Sequence, residues 1–313
     1  MPKQNTSTLL MIRPVGFRMN EQTAINNYYQ KVLDNLSAEE VNKAAEIEFD
    51  RFVKVLRNKG VQVNVVDDTL DPDTPDSIFP NNWVSFHADG RVGIYPMYAD
   101  NRRLERREDV FIILQNQHGL KIDEVVDFTE FEEHNKFLEG TGSMVLDRSY
   151  KIAYAALSQR TDRKAFEHFC SVFNYAGVVF NAYQTVGEER RLIYHTNVMM
   201  CIANHFAILC ADCIDDVDER SMVIETLKDS GKEVVFISED QVHRFAGNML
   251  EVLNSEGKNH LVMSTSAYES LTEAQIETIE KYAEIIHSSL DTIEACGGGS
   301  ARCMMAEVFL PKL

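Results

Sequence analysis

Asn82-Trp-Val-Ser-Phe-His-Ala-Asp-Gly-Arg-Val-Gly-Ile-Tyr-Pro96 sets Asp89-Gly90 between two apolar runs. An Asp-Gly pair tolerates the positive φ angles of a tight turn, so the stretch predicts a β-hairpin. A helix over 103–118 and a strand over 121–126 are expected next. The same order then recurs. Gly142-Ser-Met-Val-Leu-Asp-Arg-Ser-Tyr-Lys-Ile-Ala-Tyr-Ala-Ala156 is a second strand–turn–strand, with a helix over 161–175 and a strand over 178–180 behind it. Asn197-Val-Met-Met-Cys-Ile-Ala-Asn-His-Phe-Ala-Ile-Leu-Cys210 is a third, followed by a helix near 217–230 and a strand over 233–237. A fourth runs from Gly247 to Ser264, with a helix from Thr272, which forms a capping box with Gln275, and a short segment over 285–288.

The fifth copy is split. Cys303 opens an apolar run to Leu310 that has no hairpin partner downstream. Upstream, the run 9–12 reads as a buried strand stopped by Pro14. A helix follows, opened by a Ser37/Glu40 capping box and carrying Val41, Ala44, Ala45, Phe49, Phe52, Val53 and Leu56 at helical spacing. A strand over 61–66 comes after Gly60. Copies beginning at Asn82, Gly142, Asn197, Asn248 and Cys303 recur every roughly 50 to 60 residues, the period of propellers and solenoids. A sheet with one apolar face cannot stand alone, and closing a ring hides its edges. The expectation is an α/β fold, a single domain over 1–313 built as a five-bladed α/β propeller, with strand 9–12 closing the last blade. A two-layer α+β sandwich is the alternative.

With 44% hydrophobic and 26% charged residues the 313-residue chain has the composition of a soluble globular protein. Its net charge of −18 disfavours nucleic acid and anionic membrane surfaces as partners. The N-terminal run is interrupted by Arg13 and Pro14, unlike a signal peptide or membrane span. Six cysteines are too few for a disulfide scaffold, which points to a reducing, cytoplasmic setting. Cys210-Ala-Asp-Cys213 lacks the second ligand pair of a metal site and is read as structural. The Gly297–Gly299 run lacks the Lys-Ser/Thr of a phosphate-binding loop. Neither metal nor cofactor is expected; the partner is a small-molecule substrate, and an oligomer is compatible with the sequence.

In a pseudo-symmetric ring the starts of the hairpins face one axis, and chemical residues collect there. Glu139 precedes the second copy, His195 the third, and Cys303 opens the fifth behind three glycines. Thiol, imidazole and carboxylate are the groups of thiol nucleophilic catalysis with acid–base help. Phe79-Pro-Asn-Asn82, Glu139-Gly-Thr-Gly142, His195-Thr-Asn197 and Gly297-Gly-Gly-Ser-Ala-Arg-Cys303 resemble the motif series of the guanidine-modifying superfamily. That superfamily includes arginine deiminases, dimethylarginine hydrolases and amidinotransferases; the wording here is most similar to an amidinotransferase-like branch associated with citrulline breakdown. The resemblance covers nearly the whole chain and implies the same propeller. It implies Cys303 as nucleophile on a guanidino or ureido carbon, His195 as acid then base, and Glu139 as the group that binds substrate nitrogens and helps keep His195 charged. It also implies Arg160 as the holder of a substrate α-carboxylate, with one of Arg102, Arg103, Arg106 or Arg107 as a second clamp, Arg103 being chosen.

Asn82 and Asn197 stand where deiminases of this superfamily carry aspartates. A guanidinium is best gripped by carboxylates, whereas an amide offers one donor and one acceptor, as a ureido group requires. The expected reaction is therefore citrulline to ornithine, ammonia and carbon dioxide through a covalent Cys303 intermediate. An amidinotransferase, an arginine or dimethylarginine hydrolase and a non-catalytic propeller remain alternatives, and the loop over 67–76 is the candidate lid.

Overall fold

A computed structural model describes residues 3–33 and 35–313 of the protein. Met1 and Pro2, the first residues of the N-terminal run, lie outside the described residues. Among the described residues five three-stranded sheets recur, each an antiparallel pair followed by a parallel third strand. The first holds Val84–Phe86, Arg91–Ile94 and Glu124–Asp127. The second holds Val145–Asp147, Ile152–Ala156 and Ala176–Phe180. The third holds Met200–Ile202, Phe206–Leu209 and Glu233–Phe236, and the fourth Leu250–Leu253, Asn259–Ser264 and Glu284–Ser288.

The fifth sheet joins distant parts of the chain. Thr8–Arg13 is its middle strand, antiparallel to Ala306–Glu307 with Leu9 opposite Glu307, and parallel to Gln62–Asp67 with Leu9 opposite Val63. The split fifth copy is thus assembled by the strand the sequence assigns to it.

Helices cross between the second and third strands of every sheet: Ala38–Asn58, Glu108–His118, Arg163–Phe173 and Val217–Asp229, with Thr265–Ser270 and Glu273–Glu280 in the fourth. Ser37 caps the first of these, its Oγ accepting from Glu40 N (3.3 Å) while Ser37 N donates to the Glu40 carboxylate (2.8 Å). The predicted stripe Val41, Ala45, Phe49, Phe52, Val53 and Leu56 is buried; Ala44 lies at its edge, half-buried. Asp162 caps Arg163–Phe173, which buries Phe166, Phe169 and Phe173 with Leu146, Ala153 and Ala155 of the second sheet and with Tyr95 and Phe128, which follow strands of the first and stack at 5.6 Å. Each such ring contributes about 1.5–3 kcal/mol by leaving water.

Several expectations shift. The helix over 103–118 is two pieces, Asp100–Arg103 and Glu108–His118. Arg107 marks the break: its extended backbone starts the second piece, and its guanidinium lies across Asp109. The strands start two or three residues after the predicted openings, because each opening forms a helical or tight turn first. Cys303 itself sits in the turn Ala301–Met304, and its strand begins at Ala306. A hairpin of Tyr183–Val186 and Glu189–Leu192 was not foreseen; Glu189–Leu192 is exposed along its length and has no alternating pattern.

Candidate active site

The turns ahead of the first strands converge, and each presents one polar side chain inward. Asn82 ends the turn Pro80–Asn82, Glu139 caps Gly140–Ser143, His195 precedes Thr196–Val198, and Cys303 lies in Ala301–Met304. All four are buried. Close approach requires Gly142 between them. A Cβ there would collide with Asn82 Nδ2 and lie 2.8 Å from His195 Nδ1.

Cys303, His195, Asn82, Arg102, Arg160 and Asp76 line one small cavity of about 10 Å³, closed above by Asn27 and Tyr194. Cys303 Sγ receives Asn248 Nδ2 at 3.2 Å and Asn197 Nδ2 at 3.6 Å. His195 Nε2 lies 2.7 Å from Glu139 Oε2, and the other oxygen of Glu139 accepts from Tyr98 N at 3.0 Å. Arg160 and Arg102 stand 3.5 and 3.8 Å from Glu139.

Burial pushes the Glu139 carboxyl up, but Arg160, the bond to His195 and Arg102 together outweigh it and hold it well below the usual range. Burial pulls the His195 imidazole down to about 4 against the pull of Glu139, with Arg160 and Arg102 adding to the fall. The ligand-free imidazole is therefore neutral at neutral pH. Glu139 pulls the imidazole toward its charged form, as expected, but burial first and then Arg160 and Arg102 outweigh that pull.

Arg102, not Arg103, enters the site. Its Nε and Nη2 form a two-point pair with Glu105 (2.8 and 2.9 Å), and its Nη1 donates to Asn82 Oδ1 at 2.9 Å. Arg103 turns outward, with Nε on Met97 O (3.1 Å) and Nη1 2.8 Å from Asp100; its side chain is 30% exposed. A four-residue helix turns adjacent side chains apart, and only its buried side reaches the cavity. Arg106 pairs with Glu132 and Arg107 with Asp109, both away from the cavity. Burial, opposed by Arg102 and aided by Asp76 and Glu139, pushes the Glu105 carboxyl up to about 8.

The bond from Arg102 fixes the Asn82 amide. A guanidinium only donates, so the Asn82 oxygen must face it. Nδ2 then gives one N–H to Asn81 Oδ1 at 3.1 Å, leaving the other for a ligand.

Asp76 was missed among the candidate residues. Its Oδ2 accepts from Asn20 Nδ2 (2.8 Å) and Thr23 Oγ1 (3.1 Å), while its buried Oδ1 has no hydrogen-bond partner among the described residues. An orphaned buried carboxylate oxygen in a closed site is an acceptor waiting for a donor.

The cover comes from another part of the chain than expected. Segment 20–31 lies over the site: Asn27 Nδ2 reaches the carbonyls of Gly297 and Gly298 at 3.3 Å, Gln30 Nε2 reaches Gly297 O at 3.1 Å, and Lys31 N bonds Ala295 O at 2.6 Å. Asn26 Oδ1 accepts from Arg160 Nε at 2.9 Å, and Thr23 O from Nη2 at 2.9 Å. The loop over 67–76 contributes only Asp76. Segment 20–31 is mostly polar, so no apolar period announced it.

Cys210 and Cys213 are buried, and all six cysteines are free. Among the described residues no cluster of His, Cys, Asp or Glu is placed to hold a metal ion, and no helix is long and apolar enough to cross a membrane.

The family model for eukaryotic N,N-dimethylarginine dimethylhydrolase matches residues 13–310. No curated protein sequence matches the chain. Among solved structures it is similar to ArgZ, an arginine dihydrolase from the ornithine–ammonia cycle in cyanobacteria. The TM-score is 0.72 at 16% identity, covering 98% of this chain and 41% of ArgZ. The N-terminal domain of ArgZ bound to substrate gives 0.70 at 15% identity, covering 96% of this chain and 97% of that domain. The chain thus spans less than half of full-length ArgZ. An adduct of dimethylarginine dimethylaminohydrolase with S-methyl-L-thiocitrulline gives 0.61 at 12% identity, covering 98% and 100%. At these identities the structures speak for the fold, and the family model speaks for descent: the chain belongs to the N,N-dimethylarginine dimethylhydrolase family, within the pentein group of guanidino-modifying enzymes.

Proposed function

We propose that the protein is a cysteine-dependent hydrolase of the guanidino or ureido carbon of an arginine-derived amino acid, turning citrulline into ornithine, ammonia and carbon dioxide. The observation that carries this reading is the closed cavity in which Cys303 faces the His195–Glu139 pair and an Asn82 amide fixed with its N–H free. A ureido oxygen is the natural acceptor for that N–H. Thiolate Sγ attacks the ureido carbon and forms the C–S bond. His195 takes up a proton from water and passes it to the departing nitrogen, so that the C–N bond breaks and ammonia leaves, giving a thiocarbamate. Water, deprotonated by His195, then attacks the same carbon, and the C–S bond breaks with its electrons returning to sulfur. The released carbamate falls apart to ornithine and carbon dioxide.

Asp76 favours a wider substrate range. Its free oxygen, together with Glu139, suits the N–H groups of a guanidinium, so arginine enters the same site and citrulline is its intermediate. The fold neighbour named an arginine dihydrolase agrees with that order. Arg160 takes the α-carboxylate, displacing Asn26 from its guanidinium. Asn197 orients the thiol, and Arg103 has no contact with the ligand.

We also infer that the five sheets form one closed five-bladed domain. Supporting this, the first strand of the fifth sheet touches that of the first, and the first strand of the third touches those of the second and fourth.

Purified protein incubated separately with citrulline, arginine and N,N-dimethylarginine tests the reading, with ornithine, citrulline, ammonia and dimethylamine as readouts. Ornithine from citrulline is expected. Turnover of a guanidino substrate with none of citrulline would overturn the ureido reading. An amidino group transferred to added glycine or lysine would make the protein a transferase, and no turnover at all would leave a binding protein.

A further inference from the structure

The mechanism needs Cys303 as thiolate, yet the neutral His195 supplies no resting positive charge. The charged and titratable groups lining the cavity are Asp76, Arg102, Arg160, Tyr194 and His195. None of them hydrogen-bonds Sγ. The only side chains that do, among the described residues, are the amides of Asn248 and Asn197.

Asn248 is held for this task on every side. It is fully buried. Its Oδ1 accepts Arg302 N at 3.0 Å, the peptide N–H next to Cys303. That bond fixes which end of the amide is the nitrogen, because a peptide N–H only donates. Nδ2 then has two hydrogens with two acceptors, Asn197 O at 3.0 Å and Cys303 Sγ at 3.2 Å. Gly247 lets the residue sit this deep, since a Cβ there would lie 2.7–2.8 Å from backbone atoms of Met199. A buried donor aimed at sulfur by two independent anchors favours the anion, because a hydrogen bond to a charged acceptor is stronger than one to a neutral thiol.

We propose that Asn248 is a catalytic residue of this site, its amide N–H stabilising the Cys303 thiolate in the resting enzyme and again as sulfur departs. The proposal rests on Cys303 being the nucleophile, but not on which substrate it attacks. The amide also does what an imidazolium would do elsewhere, leaving His195 neutral and able to accept a proton.

The test reads the thiol without substrate. The rate at which iodoacetamide alkylates Cys303, located by peptide mass spectrometry, is followed against pH in the wild type, Asn248→Asp and Asn248→Ser. Asn248→Asp keeps the shape and the acceptor for Arg302 N but replaces the donor. Alkylation near neutral pH is expected to slow about tenfold or more, with the profile displaced to higher pH. Melting curves show whether the variants are folded. Alkylation of folded Asn248→Asp at the wild-type rate and profile would overturn the proposal. Should neither variant fold, the wild type answers: the side-chain amide nitrogen resonance of Asn248 is expected to move with pH in step with the alkylation profile, and a resonance that stays fixed would overturn the proposal. Because no substrate is added, this outcome is separate from whether citrulline is turned over.

Discussion

The third and fifth sheets share one pairing pattern and differ in how the chain supplies it. The third is continuous, with its antiparallel strands in one hairpin over 200–209. The fifth borrows its middle strand from Thr8–Arg13, about 300 residues from its partner Ala306–Glu307 in sequence. The strands of the third are core, with Met200, Ile202, Phe206, Ala207, Ile208 and Leu209 all buried in one apolar cluster behind the turn that carries His195. The fifth carries Cys303, the proposed nucleophile, on the turn just ahead of its short strand. Cys303 therefore stands beside a sheet that is assembled by a long-range contact, and damage to that contact is expected to reach the site.

The largest effect is expected from removing residues through Arg13. Leu9, Leu10, Met11 and Ile12 are buried at 0–2% exposure. Their loss, at about 1.5–3 kcal/mol each, is comparable with the whole stability of a domain. The truncated chain should neither fold cooperatively by circular dichroism nor show activity; an active truncated protein would break the comparison. A matched pair sharpens it. Met11→Ala and Ile208→Ala should each lower stability by roughly 2–5 kcal/mol in denaturant melts. Only Met11→Ala should also lower activity per folded molecule, through displacement of the strand beside Cys303. Equal loss from both would show that the two sheets are not functionally distinct.

Within the site, Asn82→Asp exchanges the donor amide for a carboxylate facing Arg102. The ratio of kcat/KM for citrulline to that for arginine should fall about 10- to 100-fold, the range for one hydrogen bond to a charged group. The smallest effect belongs to Ser37→Ala, far from the site, which removes a capping bond worth about 1 kcal/mol and should leave kcat unchanged.

The sequence announced the sheets because their alternation and turns are local, and the order of five similar units suggested how the distant strand 9–12 must pair. The thiol, imidazole and carboxylate were legible for the same reason, each standing at an equivalent turn. Asp76 was not, since it is one of several aspartates in a polar loop and only the fold singles it out. Arg102 and Arg103 are neighbours on one short turn, so chemistry alone could not choose between them. The cover over 20–31 is held by amides on carbonyls, contacts that leave no pattern in sequence. The lowered pKa of His195 comes first from its burial and then from two arginines drawn from other parts of the chain, and none of these is visible in its local sequence.

Mass spectrometry of protein quenched with acid during turnover of citrulline tests the central claim most directly. A carbamoyl-type adduct on the Cys303 peptide is predicted, absent from Cys303→Ser along with turnover itself. Turnover that survives Cys303→Ser, or an adduct on another residue, would contradict it.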